Sequence, residues 1–160
     1  MGDSVAVNGA CLSVTRVAND ILEFEMIPET RTLTNLGRAM VVSRVNLEPS
    51  LSLTDRLHGH LVLGHVDGLG RIRRREQRAG QTVLTIQLAS ALRRYVVSKG
   101  PIAIDGVSLT VGGHVSNHSF SVFLIPETLR KTTLEFRRVG DFVNIEVDYV
   151  AKLIMQRQAG

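Results

Sequence analysis

Apolar and polar positions alternate along Ile102-Ala103-Ile104-Asp105-Gly106-Val107-Ser108-Leu109-Thr110-Val111. Period-two alternation predicts two short strands. Asp105-Gly106 suits the type I′ hairpin turn between them, which needs positive φ at both central residues. Ser108 and Thr110 are two apart and share one strand face. The same grammar opens the chain as Val5-Ala6-Val7-Asn8-Gly9-Ala10-Cys11-Leu12-Ser13-Val14, with Cys11 and Ser13 in the places of Ser108 and Thr110.

The echo extends along the chain. Asn8-Gly9 recurs as Asp105-Gly106 at an offset of 97, and Ile27-Pro28-Glu29-Thr30 as Ile125-Pro126-Glu127-Thr128 at 98. Val45-Asn46-Leu47-Glu48 recurs as Val143-Asn144-Ile145-Glu146, also at 98. Three blocks in one order identify an internal repeat. The one-residue slip is expected in the loop Ser116-Asn117-His118-Ser119, which is longer than Ala18-Asn19-Asp20. Each copy predicts a hairpin, a third strand, a short helix with Pro28 or Pro126 in its first turn, and a closing strand. Thr34 to Gly37 and Thr132 to Leu134 are expected to carry those helices to their ends.

The second copy is longer. His60 to Arg75 reads as an interrupted strand and Gln81 to Leu88 as a regular one. Ser90 to Val97 reads as a helix, with Ser90 as N-cap and Gly100 just past the end. The first copy lacks a counterpart to this stretch of roughly 40 residues. A barrel without its first two strands leaves unpaired edges, so the expectation is a late start site, a fragment, or a first half completed by another chain. Val150, Leu153 and Ile154 line one side of a C-terminal helix.

The predicted fold is all-β: two tandem six-stranded antiparallel Greek-key barrels, the first incomplete, plus short helices and a C-terminal helix. The expected units are 1–56, 57–148 and 149–160.

Composition adds limits. The 160 residues are 44% hydrophobic and 21% charged, ordinary for a globular chain. No apolar run is long enough to span a membrane, and no signal-peptide pattern opens the chain. One cysteine excludes an internal disulfide. Cytoplasm is the expected location. The net charge of +4 and the run Arg71 to Arg78 raise nucleic acid as a partner. With aromatic content of 4% no stacking platform stands beside that run, so neither nucleic acid nor membrane is expected. His58, His60 and His65 include a His-Xaa-His pair on one strand, but no Cys or Asp/Glu cluster completes a metal set.

Taken in this order, the residues resemble the α-chain type riboflavin synthases. The resemblance rests on Val7-Asn8-Gly9-Ala10-Cys11-Leu12-Ser13-Val14-Thr15, the two Pro-Glu-Thr helices, Gly59-His60-Leu61-Val62-Leu63-Gly64-His65-Val66-Asp67-Gly68, Lys99-Gly100, and Ile104-Asp105-Gly106-Val107-Ser108-Leu109-Thr110-Val111. The chain departs from the family pattern at His58, Leu63 and Val42-Ser43, and lacks the family's N-terminal Met-Phe-Thr-Gly-Ile segment.

The resemblance implies a homotrimer assembled by the C-terminal helix, with each active site between the first barrel of one subunit and the second barrel of another. It implies dismutation of two 6,7-dimethyl-8-ribityllumazine molecules into riboflavin and 5-amino-6-ribitylamino-pyrimidinedione, with no metal or separate cofactor. The rival is a non-catalytic lumazine- or flavin-binding protein of the same fold. Cys11, His65, Ser108, Thr110 and Asp148 are the implied catalytic positions. Cys11, Ser108, Thr110, His65 and water all stay open as the nucleophile. Implied substrate contacts are Ser4, Leu12, Ser13, Gly64, Val66, Lys99, Asp105 and Leu109. Two wall segments join them: Glu25, Met26, Ile27, Pro28, Glu29 and Thr30 in the first copy, and Ile125, Pro126, Glu127, Thr128, Leu129 and Arg130 in the second.

Overall fold

The computed structural model describes residues 2–116 and 118–158. Met1, Asn117, Ala159 and Gly160 lie outside the described residues, and with Asn117 part of the loop expected to carry the slip. In the first half, strands β1 (Ser4–Val7), β2 (Ala10–Ala18), β3 (Ile21–Phe24) and β4 (Leu47–Pro49) form an open sheet in the order β3-β2-β1-β4. In the second, β5 (Gly68–Arg78), β6 (Gln81–Gln87), β7 (Pro101–Ile104), β8 (Val107–Val115), β9 (Ser119–Leu124) and β10 (Phe142–Val147) close a barrel in the order β10-β5-β6-β9-β8-β7.

The sheet repeats the barrel stretch β9-β8-β7-β10. What it lacks is the hairpin β5–β6, which closes the barrel by pairing with β10 and β9. The outer edges of β3 and β4 therefore pair with no strand among the described residues. The cores differ accordingly. Ile72, Leu84, Ile86, Ile104, Phe120, Val122, Leu124 and Ile145 are fully buried inside the barrel. The first half buries only a small cluster of Val7, Ala10, Leu12 and Leu36, backed by Phe24, Val45 and Val66.

Both expected turns form. Val7 faces Ala10 and Ile104 faces Val107, and Asn8, Gly9, Asp105 and Gly106 all have positive φ. The loop difference is also present: Ala18 faces Ile21 across Asn19-Asp20, whereas Val115 faces Phe120.

Three expectations need correction. The strand expected from His60 starts only at Gly68, because Gly59 and Gly64 take left-handed φ values of 100° and 78° that a strand does not accommodate. The helix expected over Ser90 to Val97 is only α2 (Ser90–Arg93), with Ala89 rather than Ser90 at the N-cap. Val96 is drawn into the core at 3% exposure, and Lys99 reverses the chain at φ 63°. Helices α1 (Pro28–Leu33) and α3 (Pro126–Lys131) do not continue through the next residues. Thr34 and Thr132 turn extended, their hydroxyls donating back to the carbonyls of Thr30 and Thr128 at 2.7 Å, and separate 3-10 turns follow at Asn35–Arg38 and Thr133–Glu135.

The two halves meet turn against turn. A Cβ on Gly9 would fall 2.5 Å from the Gly106 nitrogen, so only glycine permits the approach. Equivalent amides cross the contact in both directions. Asn46 Nδ2 donates to the Asp105 carbonyl, and Asn144 Nδ2 to the Asn8 carbonyl, both at 2.8 Å. Asn144 Oδ1 accepts from the Asn35 N–H, and Asn46 Oδ1 from the Thr133 N–H. Within each half, Asn8 Oδ1 accepts from the Asn46 N–H and Asp105 Oδ1 from the Asn144 N–H.

The symmetry breaks at Asp105, whose carboxylate also accepts from Asn35 Nδ2 and from Arg137 Nε and Nη2. Burial pushes this carboxyl up, and Arg137 leads the opposing pull. All four groups on it are donors, so the site fits the ionised form.

After Pro49 the chain crosses between the halves as an irregular strap, residues 50–67, before entering β5. The chain ends in α4 (Tyr149–Gln158), whose Val150, Leu153 and Ile154 are each about half exposed. Among the described residues, no helix is long and apolar enough to cross a membrane.

Removing one partner of a buried ion pair strands the other charge. Asp105→Asn is therefore expected to destabilise the fold by roughly 3 kcal/mol. Glu127→Gln, which breaks exposed pairs with Arg130 and Lys131, should cost about 0.5 kcal/mol or less. Denaturant unfolding of both variants measures the contrast, and equal losses would contradict it.

Candidate active site

Pairing of β8 with β7 sets Ser108 opposite Ala103 and Thr110 opposite Pro101. Leu109 turns inward at 8% exposure, which sends Ser108 and Thr110 to the outer face of the barrel. There they border a cavity of about 490 Å3, lined by Gly59, His60, Lys99, Pro101, Ser108, Leu109, Thr110, Phe123, Ile125 and Thr128. Each element contributes for a local reason. Lys99 is presented by the left-handed reversal before β7. Phe123 is an outward residue of β9, and Thr128 lies in the first turns of α3.

The strap closes this face. Gly59 lies so near Ser108 that a Cβ there would fall 2.4 Å from its Oγ. His60 Nδ1 and Ser108 Oγ share a hydrogen bond of 2.7 Å. His60 Nε2 is buried and has no hydrogen-bond partner among the described residues. Burial holds the imidazole below its ordinary value, against an upward pull from Asp148. A ring kept neutral beside a hydroxyl can accept a proton from it or from a molecule bound next to it.

The first half repeats the arrangement with one change. Cys11 and Ser13 lie on the outer face of β2, both exposed, while Leu12 turns into the core. Gly64 takes the role of Gly59: a Cβ on it would fall 2.7 Å from the Cys11 Cβ, and its carbonyl accepts the Cys11 N–H at 2.9 Å. Between the halves lies a larger cavity of about 950 Å3, with Cys11 and Gly64 on one wall and His60, Ser108 and Phe136 on the other.

The sequence-derived residues divide on this geometry. Lys99, Ser108, Leu109, Thr110, Ile125 and Thr128 come together in the smaller cavity. Cys11, Gly64, Asp105 and Arg130 line the larger one, although the Asp105 side chain is fully buried in the contact between the turns. His65 is exposed and lines neither cavity. Asp148 immediately precedes α4, its carboxylate accepting the Val150 N–H, and reaches the site through its field on His60.

Ser4 pairs with Ser13 across β1–β2, and Val66 packs on the first core. Glu25, Met26, Ile27, Pro28 and Glu29 are exposed and Thr30 is half-buried. None of these eight residues lines either cavity. Of the second wall segment, Pro126 opens α3, Glu127 pairs with Arg130 and Lys131, and Leu129 packs on the barrel core.

Sequence reasoning missed His60. The strap contains two Gly-His pairs, Gly59-His60 and Gly64-His65, and spacing does not say which one meets the duplicated strand position. It also missed Glu146, whose signal was its place in the repeated Val-Asn-Ile-Glu block. Among the described residues, no three His, Cys, Asp or Glu side chains gather as a metal site.

The lumazine-binding domain profile matches twice, over residues 1–50 and 63–148. The riboflavin synthase of Mycobacterium tuberculosis strain H37Rv is 45% identical, covering 99% of this chain and 82% of that protein. The Actinobacillus pleuropneumoniae enzyme of the same name is 40% identical over 98% of this chain and 72% of its own length. That of Bacillus subtilis is 38% identical over 95% and 70%. Among solved structures, LumP complexed with riboflavin superposes with a TM-score of 0.84 at 23% identity, covering 91% of this chain and 78% of that one.

Unfolded histidine titrates near 6.5, so folding expels a proton from His60 between its lowered value and 6.5. His60 therefore contributes stability that is present above 6.5 and lost as pH falls through the lowered value. Denaturation midpoints should fall with pH in that window, less steeply in His60→Gln. Identical slopes would contradict the burial account.

Proposed function

The chain belongs to the lumazine-binding family of riboflavin synthases, and we propose that it carries out their dismutation, converting two molecules of 6,7-dimethyl-8-ribityllumazine into riboflavin and 5-amino-6-ribitylamino-pyrimidinedione. One observation carries this reading: identity of 38–45% to riboflavin synthases over nearly the whole chain. The gathering of Lys99, Ser108, Thr110 and Thr128 around one cavity supports it.

The reaction needs no external oxidant or reductant. A four-carbon unit passes from one lumazine to the other, so atoms and electrons balance between two molecules of one compound. The protein has to bring two flat heterocycles face to face and move protons. A duplicated strand face meets the first need: Ser108 and Thr110 contact one lumazine, and Cys11 and Ser13 the other. The 7-methyl of the lumazine is an acidic carbon acid. His60, neutral by burial and hydrogen-bonded to Ser108, accepts a proton on the second-half face. Lys99 places a positive charge where negative charge develops on the ring, and Thr128 offers a hydroxyl to the ribityl chain.

The working unit is a homotrimer in the cytoplasm, with one subunit's Cys11 face opposed to another's Ser108 face. The half-exposed Val150, Leu153 and Ile154 on α4 supply an apolar contact between subunits.

Incubation with 6,7-dimethyl-8-ribityllumazine should yield riboflavin, read by its fluorescence. Ser108→Ala and Thr110→Val are each expected to lower kcat/KM by about tenfold or more, as loss of a contact to the reacting molecule does. Tight binding without product would favour a non-catalytic lumazine-binding protein, and unchanged kinetics would remove the substituted residue from the site. Sedimentation at the assay concentration should show three chains per particle.

A further inference from the structure

The strap between the halves touches equivalent points of both repeats, Gly59 against Ser108 and Gly64 against Cys11. Its second contact is anchored from the barrel. Val143, Ile145 and Val147 of β10 face the barrel core, so strand alternation turns Asn144 and Glu146 to the other side. Asn144 joins the contact between the turns. Glu146 is buried at 5% exposure. Its Oε1 accepts the Leu63 N–H at 2.7 Å, and its Oε2 accepts the Gly64 N–H at 3.0 Å. The same Gly64 accepts the Cys11 N–H through its carbonyl at 2.9 Å. One carboxylate on the second half thus grips two successive N–H groups of the strap, and Gly64 in turn grips the strand that carries Cys11.

We propose that Glu146 is a positioning residue that seats the strap on Cys11 and so sets the shape of the first-half substrate face. The inference rests on the functional reading above for its catalytic consequence, but not for its geometry.

Three features of the structure support it. Both carboxylate oxygens are engaged by successive backbone N–H groups, a two-point grip that fixes the orientation of the Leu63-Gly64 segment as well as its position. The strap is stitched down further along: Asp67 accepts the Val147 N–H and pairs with Lys152 of α4 at 2.7 Å. Gly64 therefore lies on a segment held by Asp67 on one side and by the His60–Ser108 hydrogen bond on the other, with Glu146 gripping the backbone between them. The counterpart of Glu146 in the repeat, Glu48 on β4, is exposed. The anchoring is thus one-sided, and the barrel holds the strap for both halves.

The chain has a single cysteine, so alkylation by a maleimide reports on Cys11 alone. In the wild type, Gly64 packs on the Cys11 Cβ. Glu146→Gln replaces one acceptor oxygen by an amide donor that opposes the strap N–H groups. Cys11 alkylation should then quicken by about fivefold or more, with the cooperative unfolding transition kept. Gly64→Ala reaches the same end without touching Glu146, since its new methyl would meet Cys11 at 2.7 Å, and it too should quicken alkylation.

In lumazine turnover, Glu146→Gln should raise KM by about tenfold with a smaller change in kcat, the split expected when binding geometry rather than a proton transfer is lost. Wild-type alkylation rates in both variants would overturn the proposal. So would a rise in Gly64→Ala alone, or a rise that appears only with loss of cooperative unfolding. If the wild-type chain makes no riboflavin, the functional reading fails while the alkylation rates still decide the role of Glu146.

Discussion

The structure depends on the contact between the two hairpin turns. Asn8-Gly9 and Asp105-Gly106 come so close that neither glycine can carry a side chain without a clash. Asn46 and Asn144 then reach across to the opposite turn's carbonyl with matching geometry. A buried polar network of this kind is costly unless every member is satisfied. Here the crossed amides meet that condition by exchanging the same bonds in both directions. The Arg137–Asp105 pair is the one ionic element, and it lies on the half that forms a closed barrel.

That contact explains why two sheets of unequal completeness hold together. The barrel has a continuous core, whereas the first half has only a small cluster and two strand edges without strand partners among the described residues. Docking its turn into the network ties the first sheet to the barrel. The strap adds a second tie through Glu146, Gly64 and Cys11. The outer faces of β2 and β8 are consequently held in a fixed relation within one chain.

Much of this was legible in the sequence. The hairpins at Asn8-Gly9 and Asp105-Gly106, the Pro-initiated helices and the outward pairs Cys11/Ser13 and Ser108/Thr110 follow from turn chemistry and period-two alternation. That these 160 residues hold no first-copy counterpart of β5–β6 follows from the repeat offset. The network was not legible, since Asp105 reads equally as a turn residue or a ligand until Arg137, Asn35 and Asn144 are seen around it. The strap was not legible either. Its alternating residues look like strand, and only the left-handed φ at Gly59 and Gly64 shows that it crosses the faces instead. For the same reason the sequence points to His65, while the hydrogen bond to Ser108 belongs to His60. Contacts between elements far apart in the chain decide these cases, and local pattern does not contain them.

We propose that the duplicated face serves a reaction between two molecules of the same compound. Its most direct test is the balance of one closed reaction, with lumazine, riboflavin and pyrimidinedione quantified together by chromatography. Two lumazines should be consumed for each riboflavin formed, with one pyrimidinedione alongside. Lumazine returned unchanged, or riboflavin formed without an equal amount of pyrimidinedione, would contradict it.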